Sequence, residues 1–159
     1  MCTKVTSTHV YFSGEFSPLA NFYDCLLIGE NGKDTFIGSE HLYQYANATY
    51  HGQHDLAESF ADCQTNREVW QKSRAIKQSE KWKKCDCEVM MKKCIQLKYD
   101  QISEFREMPH VHKGKTFVEA TTNSKWGIGL PITSKDIYNP SKWKGQNLFG
   151  KVLQEFIPK

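Results

Sequence analysis

The sequence lacks any apolar run long enough to cross a membrane, and no apolar signal-peptide core follows Met1. We therefore predict a cytoplasmic protein without a membrane partner. Basic and acidic residues are also nearly balanced, with a net charge of +3. This net charge is too small to indicate a nucleic-acid-binding protein by itself. Basic runs such as 81–84 could meet phosphates, but we interpret them as solvated helix faces.

Motifs that define several enzyme classes are also missing: there is no P-loop, no G-x-G-x-x-G and no G-x-S-x-G. Among the six cysteines only Cys85 and Cys87 lie close together, and helix positions two apart face different directions. That arrangement suits neither zinc nor a disulfide, so reduced thiols are expected. The six histidines have no metal-ligand spacing either. We predict neither a metal nor a cofactor.

No repeat, low-complexity tract or linker divides the chain, and its 159 residues suffice for one core. We predict a single compact domain over residues 1–159. Aromatic residues make up 13% of the chain. Some of them are therefore expected to line a ligand site, although a surplus alone does not establish one.

Short strands and several helices without β–α–β alternation predict an α+β fold, mostly helical. The Asn31-Gly32 pair predicts a hairpin between 25–29 and 35–37. Ser39 is the expected N-cap of a helix that has Glu40 at its first position and runs to about Thr49. The other predicted elements are strands at 9–13 and 116–120, a helix at 55–62, a helix capped by Thr65, one long or two abutting helices over 79–107 ended by Met108-Pro109, and a final helix from about Leu148.

Glu40 is the leading candidate for chemistry. Considered alone, a glutamate in the first turn of a helix merely complements the helix dipole. Tyr43 and Gln44 follow three and four residues later and therefore share its face. An acid, a phenol and an amide together can donate and accept hydrogen bonds around a sugar or a base. Aromatic walls would raise the pKa of the carboxyl by desolvation, as acid–base catalysis requires.

Three further features are candidates for ligand binding, each with a structural alternative. The loop at 126–129 lets backbone N–H groups approach a ligand, or it is a turn beside a core tryptophan. Asn147 precedes a helix start that suits phosphate, although capping alone explains it. Trp82 is more often a core residue than a ligand contact, and Arg74 offers a fork for phosphate but salt bridging is commoner.

Together these segments resemble the NADAR family, also called YbiA-like, from Tyr11 to about Phe156. The aromatic loop at 16–23, the Ser-Glu-His helix start and the Trp-Gly-x-Gly loop are specific only in combination. The matching residues are the 16–23 block, Ser39-Glu40-His41, Tyr43-Gln44, Trp82, Met90, Lys98, Val118-Glu119-Ala120, Trp126-Gly127-Ile128-Gly129, Gly145, Asn147 and Gly150.

The resemblance implies an α+β fold and an N-glycosidase that cleaves the bond between a ribose anomeric carbon and a nitrogen. It also implies two substrate types: a ribosylamino-pyrimidine phosphate of early riboflavin synthesis, and ADP-ribose attached to guanine in a nucleotide or in DNA. Glu40 corresponds to the catalytic carboxylate. The expected substrate-binding residues are Ser17, Asn21, Phe22, Tyr43, Gln44, Arg74, Trp82, Asn123, Trp126, Gly127, Gly129 and Asn147.

Two positions depart from the family pattern. Asn47 occupies the place of the usual lysine, and Asn123 occupies the place of the usual aspartate, for which Asp136 is a possible spatial substitute. These departures favour a rival hypothesis, a module that binds ADP-ribose or NAD without cleaving it. A third hypothesis is a glycosidase directed at nucleic acid, which would have to flip a base or use single strands.

Overall fold

The structure is a computed structural model that describes residues 3–156. Met1, Cys2 and residues 157–159 lie outside that range, and so do the predictions that concern them. The elements are β1 (Thr3–Val5), β2 (His9–Phe12), β3 (Leu27–Ile28), β4 (Thr35–Phe36), α1 (Ser39–Tyr50), α2 (His54–Ser59), α3 (Asn66–Ser73), α4 (Cys87–Gln101), α5 (Ser103–Val111), β5 (Thr116–Glu119) and α6 (Leu148–Gln154). The predicted α+β class, with more helix than strand, is confirmed.

The chain divides into two compact units. The first comprises residues 1–20 and 104–159 and is called the sheet unit; the second comprises residues 21–103 and is called the helical unit. The prediction of a single domain over 1–159 stays a prediction.

The sheet unit is built on a three-stranded sheet with the order β1-β2-β5. β1 is antiparallel to β2, whereas β2 and β5 are parallel, with Val10 opposite Phe117. The central strand buries consecutive residues from Val10 to Phe12, as expected when both faces of a strand are covered. Tyr11 and Val118 of the sheet belong to a cluster of buried apolar side chains that also contains Ala120, Ile128, Leu130 and Ile137.

In the helical unit, α1 packs against α2, α3 and α4. One cluster of its apolar core contains five buried side chains, Ala48, Ala57, Phe60, Val69 and Ile76. Eight of the twelve α1 residues are buried, and several of these are polar. Because buried polar groups need hydrogen-bond partners, α1 brings an unusual number of such groups into the interior of this unit.

Two local predictions in the helices are wrong. Gly38, not Ser39, is the N-cap of α1. Pro109 lies inside α5 and does not end it. Its ring fixes φ at a value that a helix accepts, and the missing N–H removes only one hydrogen bond of the helix. The backbone hydrogen bonds continue beyond it, since His112 N donates to Met108 O (3.0 Å). The region predicted as one long or two abutting helices is a π turn (Trp82–Asp86) followed by α4 and α5, which separate at Ile102.

Candidate active site

The start of α1 is held by groups distant in sequence. Ser39 does not cap the helix, because its hydroxyl donates to Asn21 Oδ1 (2.7 Å). The backbone N–H of Glu40 donates to Asn21 O (3.3 Å), and that of His41 donates to Asn66 Oδ1 (3.1 Å). These tertiary contacts satisfy helix-start donors that a local cap usually serves. They set the position of Glu40.

Asn66 is a positioning residue that the sequence analysis missed. Its amide donates to Ile37 O (3.0 Å) and to Asp24 Oδ1 (2.6 Å). A Cβ on Gly38 would collide with this amide, which explains the glycine before α1. No local pattern marks Asn66, because it stands at the first position of α3 and acts on another helix.

The carboxyl group of Glu40 is buried, with the residue 5% exposed. Each of its oxygens accepts one hydrogen bond, Oε1 from Gln44 Nε2 (2.8 Å) and Oε2 from Asn21 Nδ2 (3.3 Å). The predicted sharing of one helix face by Glu40 and Gln44 is therefore confirmed. An ionised carboxylate acts only as an acceptor, so this pair of donors is matched to the charged form.

Burial and hydrogen bonding act on Glu40 in opposite directions. Desolvation raises the pKa of the carboxyl from its ordinary value near 4.5 to about 7, although the bonds from Gln44 and Asn21 oppose the rise. Both protonation states are consequently populated near neutral pH. A group with such a pKa can take up a proton from water and release it again in the same pH range.

The donors around Glu40 belong to a continuous chain of side chains, here called the amide chain (Asn47, Gln44, Glu40, Asn21 and Ser39). Asn47 Nδ2 donates to Gln44 Oε1 (3.0 Å), so that the other end of the Gln44 amide faces Glu40. From the opposite side, Ser39 donates to Asn21, which donates to Glu40. Both halves of the chain thus direct their donors toward the carboxyl group.

Asn47 is fully buried and its Oδ1 has no hydrogen-bond partner within residues 3–156. A buried amide oxygen without a partner is costly. The resemblance places a lysine at this position. The neutral amide of Asn47 cannot lower the pKa of Glu40 by charge, as a lysine would.

Aromatic rings form one wall beside the amide chain. Tyr43 is buried, and its ring lies 5.7 Å from that of Trp82 between centroids. Burial, Cys87 and Glu40 raise the pKa of the Tyr43 phenol, which keeps its proton. Trp82 is 1% exposed and is also covered by Tyr50 (4.9 Å). Trp82 packs against Tyr43 as a buried core residue, which is the structural alternative stated in the sequence analysis.

Phe22 and Arg74, both predicted to bind substrate, lie on the surface of the helical unit. Phe22 is half-buried and Arg74 is exposed. Each of them is next to Trp70, with ring centroids 5.9 Å apart for Phe22 and the Arg74 guanidinium 5.1 Å from the ring centroid.

The remaining predicted residues belong to the sheet unit, and their meeting with Glu40 stays a prediction. Ser17 is fully buried and accepts a hydrogen bond from Thr3 Oγ1 (3.0 Å). Asn123 accepts bonds from Lys125 N (2.9 Å) and Trp126 N (2.8 Å) and so shapes the loop at 126–129. Asp136, the candidate substitute for an aspartate, pairs with Lys142 at 3.2 Å.

The glycines of this loop have a packing role. A Cβ on Gly127 would collide with Thr121 Oγ1 and lie 2.9 Å from Glu119 O, and its own N–H donates to Asn123 O (3.1 Å). Gly129 has a φ of +74°, which favours glycine. Tight packing against the end of β5 therefore accounts for Gly127, which is the structural alternative considered above.

Asn147 stands at the N-cap position of α6, but its side chain does not cap the helix as predicted. It has a left-handed backbone (φ 51°) and makes no capping bond with its side chain. Its amide instead accepts from Glu119 N (2.9 Å) and donates to Phe117 O (3.0 Å). Both polar atoms of the Asn147 side chain therefore bond to the backbone of β5 and are not available to cap α6.

A separate groove of about 290 Å³ lies on the other side of α1. Its α1 residues, Leu42, Tyr45, Ala46 and Thr49, project away from the helix face that carries Glu40. The other lining residues come from the hairpin and α4, namely Gly29, Glu30, Asn31, Asp34, Phe36, Met90, Lys93, Cys94 and Leu97. This groove is distinct from the amide chain.

Residues 3–156 contain no cluster of His, Cys, Asp and Glu that could hold a metal ion. The cysteines in this range are free thiols, with Cys85 exposed and Cys87 buried. His41 Nδ1 accepts from Ile37 N (3.1 Å), and burial lowers the pKa of His41 to about 4. None of the helices in this range is long and apolar enough to span a membrane.

The family model of the NADAR domain matches residues 10–156, and the chain therefore belongs to the NADAR family. N-glycosidase activity is associated with that family. The chain is 29% identical over 126 residues to Protein irg-1 of Caenorhabditis elegans, a match that covers 76% of this chain and 58% of that protein. It thus spans less than two thirds of that relative's length.

The fold is similar to the NMR structure of the Escherichia coli protein YbiA. The TM-score is 0.73 and the match covers 96% of this chain and 84% of that chain, at 20% sequence identity. At this identity the likeness shows the fold, and it confirms the YbiA-like architecture that the sequence motifs predict.

Proposed function

We propose that this protein hydrolyses an N-glycosidic bond and that Glu40 is its catalytic carboxylate. One observation carries the proposal: a buried carboxyl group accepts an amide donor on each oxygen and has a pKa of about 7. Perturbation of this kind is common at functional sites. The association of the NADAR family with N-glycosidase activity supplies the reaction class.

In the proposed reaction the bond between C1′ of the ribose and the base nitrogen breaks, and its electron pair leaves with the base. Positive charge develops on the ribose, where ionised Glu40 stabilises it. A water molecule adds its oxygen to C1′ and gives a proton to Glu40, while the departing nitrogen takes up a proton from solvent. Gln44 and Asn21 hold the carboxylate in place, and Tyr43 limits the access of other water to the site.

The proposed substrate is ADP-ribose attached to guanine, with a ribosylamino-pyrimidine phosphate as the related alternative. Both contain a ribose C1′–N bond, and both are substrate types of the family that the chain resembles. No metal or redox group is needed for this hydrolysis.

The test is single-turnover cleavage of ADP-ribosylated guanosine. Glu40→Gln should lower the rate by about 100-fold or more, because it removes the group that accepts a proton. The matched control is Glu80→Gln on an exposed residue, which pairs with Lys83 at 3.6 Å. An unchanged rate in Glu40→Gln would eliminate the assignment.

The rate should also depend on pH in one direction. Since the ionised form of Glu40 accepts the proton, the single-turnover rate of the wild type should rise through about pH 7 and level off above it. A rate that falls across this range would assign the carboxyl a role as acid and contradict the mechanism.

A second candidate is a module that binds ADP-ribose without cleaving it. The neutral Asn47 within the amide chain favours it, because no cation from this position can assist ionisation of Glu40. Calorimetry with ADP-ribose, combined with mass spectrometry of ADP-ribosylated guanosine, separates the two functions. Binding without release of guanine-containing product over several hours would support the module.

A further inference from the structure

One face of α3 carries two arginines and a tryptophan. Arg67, Trp70 and Arg74 occupy positions i, i+3 and i+7, which fall on the same side of a helix and span about 10 Å along its axis. Both arginines are exposed, and Trp70 is half-buried.

Phe22 completes this surface, here called the Arg–aromatic ladder (Arg67, Phe22, Trp70 and Arg74). The guanidinium of Arg67 lies 5.2 Å from the centroid of the Phe22 ring. The rings of Phe22 and Trp70 are 5.9 Å apart with an angle of 53° between their planes. The guanidinium of Arg74 lies 5.1 Å from the centroid of the Trp70 ring. The two rings therefore lie between the two guanidiniums.

The charge around the ladder is strongly positive. Residues 65–84 contain seven basic and two acidic residues, a net charge of +5, whereas the whole chain has +3. All seven basic side chains are exposed. Glu68, the acidic residue within α3, is directed away from the ladder and accepts a hydrogen bond from Gln64 N (2.8 Å).

This combination matches the two parts of a nucleotide. A guanidinium stacked on an aromatic ring is a flat platform for a purine base, and its N–H groups form bidentate bonds with phosphate. Two such guanidiniums at the ends of the ladder suit a ligand that has both a base and a short run of phosphates.

The ladder and the amide chain contain neighbouring residues of the sequence. Phe22 directly follows Asn21, whose amide donates to Glu40 (3.3 Å), and consecutive Cα atoms are only about 3.8 Å apart. The backbone of Phe22 is therefore adjacent to a residue that contacts the catalytic carboxylate. This favours one extended substrate over a ligand unrelated to the reaction.

We propose that the Arg–aromatic ladder binds the nucleoside diphosphate half of the substrate, with Arg67 and Trp70 as binding residues in addition to Phe22 and Arg74. The proposal rests on the proposed function for the reaction at the other end of the ligand, but binding of the diphosphate half requires no cleavage. A nucleic-acid strand is less well matched, because the net charge of the whole chain is only +3.

Titration with ADP by calorimetry tests the ladder directly. Arg67→Gln should weaken the affinity for ADP about tenfold, and Arg67→Lys should also weaken it because lysine has no planar fork. Lys77→Gln removes the same charge from the same basic segment, yet it lies off the ladder and should change the affinity less than about twofold. Urea unfolding of each variant verifies that the fold is retained.

Activity assays separate this proposal from the proposed function. Glu40→Gln should bind ADP as the wild type does while losing cleavage, whereas Arg67→Gln should raise KM for ADP-ribosylated guanosine far more than it lowers kcat. Three results would overturn the ladder as a nucleotide site: ADP affinity unchanged in Arg67→Gln, an equal loss in Lys77→Gln, or an unmodified oligonucleotide that binds more tightly than ADP and is displaced by salt.

Discussion

Replacing Glu40 with glutamine exchanges an ionisable carboxyl group for a neutral amide of nearly the same shape, in a position where the native group is buried. Besides lowering the rate of the proposed cleavage, this change should alter the stability of the protein in a pH-dependent way. The reason is that the folded protein holds the proton of Glu40 more tightly than the unfolded chain does.

The size of the effect follows from the two pKa values. The carboxyl titrates near 4.5 when solvated and at about 7 in the folded protein, where burial is the main cause. At about 1.4 kcal/mol for each tenfold change in proton affinity, ionisation of Glu40 costs the folded state about 3 kcal/mol. Between pH 4.5 and 7 the folded state binds more protons than the unfolded state, so the free energy of unfolding falls as pH rises. Above pH 7 the cost is constant.

Urea unfolding of wild type and Glu40→Gln at pH 5 and pH 8 measures this difference. The free energy of unfolding of the variant, relative to wild type, should be about 2.5 kcal/mol higher at pH 8 than at pH 5. One oxygen of the native carboxyl becomes an NH₂ group that faces the donor of Gln44 or Asn21, but this repulsion adds the same offset at both pH values. Glu80→Gln, on an exposed residue, should show no such pH dependence.

The result that refutes this reasoning is a relative stability of Glu40→Gln that is the same at pH 5 and pH 8. It would mean that Glu40 ionises in the folded protein as readily as in water. The carboxyl would then lie in contact with solvent, and its proposed role as a proton acceptor near pH 7 would lose its physical basis.

Two further predictions concern the asparagines. Asn47→Leu removes the donor that orients the Gln44 amide, so the single-turnover cleavage rate should fall about tenfold. The midpoint of urea unfolding should change little, because the variant loses the bond to Gln44 Oε1 but also removes the unpartnered Oδ1 of Asn47; a wild-type rate would show that Gln44 orients itself. Asn147→Ala leaves Glu119 N and Phe117 O without partners and should lower the free energy of unfolding by about 3 kcal/mol, whereas a loss below about 0.5 kcal/mol would mean that water replaces both bonds.

Local signals in the sequence predicted the elements that depend on neighbouring residues. The Asn31-Gly32 pair correctly indicated the hairpin, in which Gly32 has a φ of +71°. Thr65 caps α3 by accepting a bond from Glu68 N (3.2 Å), as the spacing indicates. β1 was not predicted, because the Thr-Lys-Val segment is polar and lies at the edge of its sheet.

The failed predictions share a physical cause. Ser39 and Asn147 both have side chains that commonly cap helices, but each donates to a more distant acceptor, Asn21 for Ser39 and Phe117 for Asn147. Side chains of this kind can satisfy any suitable group within reach. The local pattern is silent about which group the fold brings there, and the role of Asn66 at the start of α1 could not be predicted for the same reason.

The sequence by itself determined the family, the α+β class and the placement of Glu40 and Gln44 on one helix face, since helical periodicity and motif order are properties of the chain alone. Only the tertiary structure decided that this face is buried and that Asn21 supplies the second donor to the carboxyl. The pKa of Glu40 depends on how much water is removed around it, and packing of α1 against three other helices sets that quantity.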